Sequence, residues 1–293
     1  MKKRSAHKEH SQMHEKLSKW SLFWRYPIIW MIVGAISIIL VDAFIRPLAE
    51  QQVPGLLSLL LTLTLGFLAI IVYMLTMKYL ARRSIPELSK KGAGFEAVMG
   101  ALTGVIFIAL STIIIVSLGG YSFQWANGAD TVTVLIASIE AALGAAIVEE
   151  LIFRGLMFQT MNKLLGNWAA LAVTSLFFGI AHLGNTGATL WSAFAITLEA
   201  GVLLGAAFLW RRNLWFVMGL HFSWNTLEGL LGIPVSGHTT TGLLIVKVKG
   251  PYLLTGGDFG LEGSVVPVII SLLIAIPMLY GAVHNRNLPT NFT

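Results

Sequence analysis

The sequence contains no cysteine and few charged residues for its 293 residues. Without cysteine, disulfide bonds, thiolate catalysis and cysteine-ligated zinc sites are excluded. Charged residues make up 12% of the chain, about half the share of a typical soluble domain. Hydrophobic residues make up 56%, and the mean hydropathy is +0.76. This composition excludes a soluble cytosolic enzyme, a secreted domain and a disordered tail, and it predicts a membrane protein.

The hydrophobic residues fall into long runs separated by polar or charged segments. Because a helix needs roughly 20 apolar residues to cross a bilayer, we expect an all-α, polytopic membrane bundle of about eight transmembrane helices. It would occupy residues 28–283, between a basic arm at 1–27 and a short tail at 284–293. The runs are approximately Ile28–Ile45, Leu56–Leu80, Phe95–Leu118, Val132–Phe158, Trp168–Leu183, Ala188–Trp210, Leu214–Leu231 and Val265–Val283.

The basic residues are distributed unevenly along this topology. If the arm lies inside, 17 of the 20 Lys and Arg residues fall on one side, and only Arg46, Lys247 and Lys249 fall on the other. Basic loops resist translocation, so both termini are predicted to be cytoplasmic. No cleavable signal peptide is expected before the first run. The net charge of +6 therefore marks the inner face of a membrane, and we expect the lipid bilayer and no nucleic acid as a partner.

Ionisable side chains within the apolar runs are the candidates for function, since each costs roughly 2.5–3.5 kcal/mol to insert. The densest group is VEELIFRG, which contains Glu149, Glu150 and Arg154. The i, i+4 spacing of Glu150 and Arg154 predicts an ion pair. Glu149 lies about 100° further round the helix, which leaves it available as a general base. The alternative interpretation is a charged cluster that only holds helices together.

Two further groups lie on the fifth and seventh runs. Phe178 and His182 are one turn apart, and His221 and Asn225 share a helix face, with Glu228 one turn further along to orient His221. His and Asn on one face suit a developing oxyanion, although an interhelical hydrogen-bond pair is the structural alternative. Together the three groups supply a base, a water-orienting histidine and an oxyanion site. Those are the parts needed to hydrolyse a carbonyl compound without a covalent nucleophile.

The three motifs, Glu-Glu-x-x-x-Arg at 149–154, Phe-x-x-x-His at 178–182 and His-x-x-x-Asn at 221–225, resemble the CPBP family of CAAX-processing and bacteriocin-processing intramembrane proteases. The resemblance covers the fourth to seventh runs and places a catalytic core at about 132–231. It implies an intramembrane endopeptidase that cleaves a membrane-associated or lipidated peptide or protein, in a bacterial cytoplasmic membrane. Its site is expected in the cytoplasmic half of the bundle.

The resemblance also implies a role for each site residue. Glu149 would activate the attacking water, helped by His182, and Glu150 would pair with Arg154. The tetrahedral oxyanion would be stabilised by His221 and Asn225.

A metal ion is the open point in this assignment. Members of the family are often called metalloproteases, and Glu149, His182 and His221 would make a zinc site with two histidines, one carboxylate and a water. The sequence has no HExxH motif, and a carboxylate and a histidine also activate water without metal. We therefore favour metal-independent hydrolysis and keep divalent zinc as the alternative.

Two other functions are compatible with the same polar residues. One is a non-catalytic immunity or scaffold protein that uses the buried network only to hold its shape. The other, less favoured, is a proton-coupled transporter. No internal repeat supports a transporter, but a relay would use the histidines with Glu140, Glu199 and Glu228.

Overall fold

The computed structural model describes residues 23–128, 130–239 and 241–284. Most of the predicted arm and nearly all of the tail lie outside these residues, as do both termini. The expectation of an all-α bundle is confirmed, since each of the eight predicted runs forms a helix. The helices are α1 (Pro27–Glu50), α2 (Leu56–Ala81), α3 (Ala93–Ser117), α4 (Thr131–Leu165), α5 (Asn167–Gly184), α6 (Leu190–Arg211), α7 (Leu214–Leu231) and α8 (Val265–His284).

Several of these helices change their winding along their length. In α4, an α-helix at Thr131–Glu150 continues as a π-helix at Leu151–Phe158 and ends as an α-helix at Gln159–Leu165. Similar π segments occupy Thr76–Ala81 in α2 and Thr197–Val202 in α6, and α5 ends in a 3₁₀ turn. π turns are rare and often lie at functional sites. The one in α4 begins directly after Glu149 and Glu150.

Helix α7 differs from the other seven. Among the described residues, seven helices are long and apolar enough to cross a membrane, and α7 is not one of them. Polar residues interrupt its apolar sequence, and eleven of its 18 residues are buried. It is therefore a core helix surrounded by the other helices, which refines the expectation of about eight lipid-crossing segments.

Glycines allow α3 and α7 to pack closely. A Cβ atom at Gly100 would overlap the backbone oxygen of Phe216, and one at Gly104 would overlap Ser223 and the backbone of Leu220. A Cβ at Gly201 of α6 would likewise meet the backbone of α5. The absence of a side chain at these glycines therefore lets the helices approach closely. This contact fixes the position of α7, which carries two of the candidate site residues.

Replacing Gly104 with valine is therefore expected to destabilise the bundle. The added side chain would force α3 and α7 apart, which costs roughly 1–3 kcal/mol for an overpacked core. Thermal unfolding in detergent micelles would measure the loss. Gly94→Val is the matched control, because it lies on the same helix and a Cβ there meets no atom within 4 Å. An equal loss in the two variants would contradict this account of the packing.

One end of the bundle holds the connection between α2 and α3, which includes a 3₁₀ turn at Pro86–Leu88. Arg83 binds Glu87 at 2.6 Å and the side-chain oxygen of Gln159 at 2.6 Å. Burial acts to raise the pKa of Glu87, but the hydrogen bonds and charge of Arg83 outweigh it and hold that pKa below its ordinary value. The connection is thereby anchored to α4 through the hydrogen bond from Arg83 to Gln159.

The opposite end holds the two strands, β1 (Tyr121–Trp125) and β2 (Leu244–Val248). They pair antiparallel, with Tyr121 opposite Val248 and Trp125 opposite Leu244. The β2 strand lies in a segment, LLIVKVKG, whose apolar and polar residues alternate as in a half-buried strand. Short helical turns at Tyr252–Thr255, Gly257–Phe259 and Leu261–Gly263 complete this end.

Candidate active site

The predicted ion pair between Glu150 and Arg154 is present in the middle of the bundle. Arg154 Nη1 donates to Glu150 Oε1 at 2.8 Å, and the side chains are 2% and 0% exposed. Arg154 Nη2 donates to the carbonyl oxygen of Ala200 at 2.7 Å, and the guanidinium lies 4.8 Å from the centre of the Phe178 ring. The pair therefore joins α4 to α5 and α6. Arg154 was expected among the basic residues of the inner face, and its burial removes it from that set.

His221 of α7 is held by the same carboxylate. Its Nδ1 lies 2.9 Å from Glu150 Oε1. A carboxylate in an ion pair only accepts hydrogen bonds, so Nδ1 carries the proton of this contact. The expected partner of this ring was Glu228, but the carboxylate that orients it is Glu150, because the helix packing brings α4 against α7. His221 Nε2 is thereby directed away from Glu150.

Glu149 lies on the other side of the His221 ring. Its Oε2 is 4.0 Å from His221 Nε2, and its side chain is 30% exposed, in contrast to the fully buried Glu150. Oε2 makes no hydrogen bond to any described residue. The neighbouring carboxylates therefore have different surroundings: Glu150 is fully buried and binds Arg154 and His221 through Oε1, and Glu149 is partly exposed and lines a cavity.

His182 occupies the 3₁₀ turn at the end of α5. Its Nδ1 lies 2.7 Å from the carbonyl oxygen of Phe178, which assigns the Nδ1 proton to that bond and leaves Nε2 as the second functional atom. The ring stacks on Phe178, with centres 4.7 Å apart. The phenylalanine of the Phe-x-x-x-His motif therefore fixes the orientation of the histidine and also covers Arg154.

These side chains surround one cavity of about 280 Å³. A second cavity, of about 510 Å³, adjoins it and reaches Arg46 and Glu50 of α1. Glu149 and Asn225 line both cavities. The first cavity contains all four residues that were expected to act on a substrate, namely Glu149, His182, His221 and Asn225.

Residues outside the three motifs also line the first cavity. Ser236, His238 and Glu262 belong to the segment between α7 and α8. Ser236 Oγ donates to Glu262 Oε2 at 2.5 Å, and burial raises the pKa of Glu262. Sequence reasoning missed these residues because a loop carries no periodicity. The only indication in the sequence was an acidic residue, Glu262, in the long segment between α7 and α8.

The three side chains considered as zinc ligands do not form a metal site. Glu149 and His221 approach to 4.0 Å, and His182 lines the same cavity. Across residues 23–128, 130–239 and 241–284, no group of three His, Asp or Glu side chains is arranged to hold a metal ion. The donor set as placed does not fit bound zinc, so the mechanism below uses protein groups and water.

Part of the chain is similar to a known protein family. Residues 131–227 match the family model described as Rce1-like, type II CAAX prenyl endopeptidase Rce1-like. This segment is about a third of the chain. Comparison with curated proteins and with solved structures gives no match. Over the segment that carries all six candidate site residues, this integral membrane protein is similar to Rce1-like type II CAAX prenyl endopeptidases, and the family resemblance that the three motifs predict is confirmed.

Proposed function

We propose that this chain is an intramembrane endopeptidase that hydrolyses a peptide bond of a membrane-associated or lipidated peptide, in a bacterial cytoplasmic membrane. The observation that carries the proposal is the single cavity lined by Glu149, His182, His221 and Asn225. The similarity of residues 131–227 to a protease family supports it. No cysteine is available as a nucleophile, which fits attack by water.

In the proposed reaction, Glu149 is the general base. Its carboxylate accepts a proton from a water molecule that His182 orients through Nε2, and the oxygen of that water bonds to the carbonyl carbon of the substrate. The carbonyl double bond opens, and the electron pair moves to the carbonyl oxygen. The proton held by Glu149 then passes to the nitrogen of the leaving amine as the carbon–nitrogen bond breaks.

The oxyanion formed in this step is stabilised from α7. The side-chain amide of Asn225 donates to it, and His221 donates from Nε2 when its ring is protonated. The Glu150 carboxylate at Nδ1, 2.9 Å away, supports the positive charge on that ring. Glu150 and Arg154 are therefore positioning residues, and Glu149, His182, His221 and Asn225 are the proposed catalytic residues.

Replacing Asn225 with alanine is expected to lower kcat by roughly 10²–10³-fold, the usual cost of losing one oxyanion donor. KM should change little, because this hydrogen bond strengthens only as charge develops. Steady-state cleavage kinetics would measure both constants. Thr226→Ala is the matched control, since its hydroxyl binds the backbone of its own helix at 2.7 Å and it lines neither cavity. A large rise in KM with unchanged kcat would contradict the oxyanion role.

The proposed activity is tested with the purified full-length protein in lipid vesicles. Three synthetic probes are offered: a prenylated CAAX peptide, the same peptide without the prenyl group, and a hydrophobic transmembrane peptide. We expect mass spectrometry to detect new fragments from at least one probe with the wild-type protein, and far less with Asn225→Ala. If the folded protein cleaves none of the three, the proposal fails.

A further inference from the structure

The cavity is walled at one end by two connections of the bundle. Asn185 follows α5, and Val235, Ser236, His238 and Glu262 lie between α7 and α8. The two connections are joined, because Asn185 Nδ2 donates to the carbonyl oxygen of Ser236 at 2.9 Å. At the opposite end, the connections at 82–92, 166 and 212–213 contribute no lining residue to either cavity. The cavity thus belongs to the end that carries β1 and β2.

The helix ends place the site further from the basic loops than the sequence suggested. Helix α4 continues to Leu165, beyond the predicted end at Phe158. With a rise of about 1.5 Å per residue, Glu149 lies about 24 Å from Leu165. His182 lies about 22 Å from Asn167 by the same rise, at the level of Glu149, and only two residues before the end of α5 at Gly184. By these distances the site lies nearer the end with the strands than the end with the basic loops, which departs from the expectation of a site in the cytoplasmic half.

The two ends of the bundle differ in charge. Three basic residues lie at the end with the strands, namely Lys247 and Lys249 on an exposed segment and Arg46 near the end of α1. The other end carries the basic residues of the described connections and helix termini, which are Arg25, Lys78, Arg82, Arg83, Lys90, Lys91, Lys163, Arg211 and Arg212. Burial of Arg154 in its ion pair leaves this bias in place. By the positive-inside rule, the basic end is cytoplasmic.

We propose that the cavity opens on the non-cytoplasmic face of the membrane, between the α5–α6 connection and the α7–α8 connection. Its ligand is then a peptide that has already crossed the membrane, or the membrane-proximal segment of a protein exposed on that face. The nature of the ligand as a peptide rests on the proposed function. The direction of opening rests only on the helix order, the cavity lining and the charge distribution.

The natural absence of cysteine allows a direct test with single-cysteine variants of the full-length chain. Lys247→Cys and Lys90→Cys mark the two ends, since both positions are exposed. Ala145→Cys reports on access to the site, because Ala145 lines both cavities. Ala146→Cys is the matched control, being 1% exposed and outside both linings. Intact and permeabilised cells are treated with a membrane-impermeant maleimide for the surface positions and a small cationic methanethiosulfonate for the cavity.

We expect Lys247→Cys and Ala145→Cys to react in intact cells, Lys90→Cys to react only after permeabilisation, and Ala146→Cys to stay unmodified. Reaction of Lys90→Cys but not Lys247→Cys in intact cells would reverse the orientation and overturn the proposal. Reaction of Ala145→Cys only after permeabilisation would overturn it as well. None of these readouts needs cleavage, so a labelled but inactive protein would count against the proposed function alone.

Discussion

Replacing Glu149 with glutamine is expected to lower the rate of peptide cleavage by about 10²–10⁴-fold, the contribution of a positioned general base. The amide keeps the shape of the side chain but no longer accepts a proton from water. The fold should be unaffected, since Glu149 Oε2 bonds to no described residue and the side chain is 30% exposed. Initial cleavage rates and thermal unfolding, measured on the same preparation, would show both effects.

The matched control for this variant is Glu140→Gln. Glu140 lies on the same helix, accepts a hydrogen bond from Ser58 at 2.6 Å and lines neither cavity. The Glu140→Gln variant should cleave the peptide at close to the wild-type rate. Normal cleavage by Glu149→Gln would show that another group is the base. A biological effect that survives Glu149→Gln without any cleavage would instead favour the non-catalytic immunity or scaffold protein.

Breaking the buried pair is expected to have the largest effect on stability. Arg154→Met keeps an apolar side chain over Phe178 but leaves the carboxylate of Glu150 buried without its cation. Removing one partner of a buried pair costs roughly 3–5 kcal/mol. Of the two side-chain contacts described for Glu150, only the one with His221 would remain. Denaturant or thermal unfolding in detergent micelles would measure the loss of unfolding free energy.

Two comparisons make this prediction specific. The double variant Glu150→Gln/Arg154→Met removes both charges and should recover part of the lost stability. Arg46→Met breaks another i, i+4 pair, with Asp42, whose side chains are 34% and 22% exposed. It should cost less than Arg154→Met, because both side chains of the Asp42–Arg46 pair are partly exposed and those of the Glu150–Arg154 pair are buried. If Arg154→Met and Arg46→Met cost the same, the buried pair does not have the structural role assigned to it.

Local spacing predicted the parts of the site that lie on one helix. The i, i+4 rule is a property of helix geometry, so the Glu150–Arg154 pair and the shared face of His221 and Asn225 followed from the residue order alone. The hydrogen-bond partner of His221 did not follow from the residue order. Glu228 is its neighbour on α7, whereas Glu150 lies 71 residues away in sequence and reaches the ring only through the packing of α4 against α7.

Local sequence patterns also did not predict where the helices end or which loop residues line the cavity. Lys163 in the segment after Phe158 suggested a boundary, but α4 continues through it to Leu165. The loop residues Ser236 and Glu262 meet the helices only because distant segments are joined at that end of the bundle, as in the bond from Asn185 to Ser236. Such long-range contacts depend on the whole fold, and no short stretch of sequence contains them.

The low apolarity of α7 has a consequence for how the chain is made. A segment with His221, Asn225 and Glu228 partitions poorly into lipid on its own. Its neighbour α3, which packs against it through Gly100 and Gly104, begins more than a hundred residues earlier in the chain. We therefore expect α7 to enter the bilayer, during translation, against helices that are already in place. We expect nascent chains arrested shortly after Leu231 to integrate this segment efficiently only when α3 precedes it.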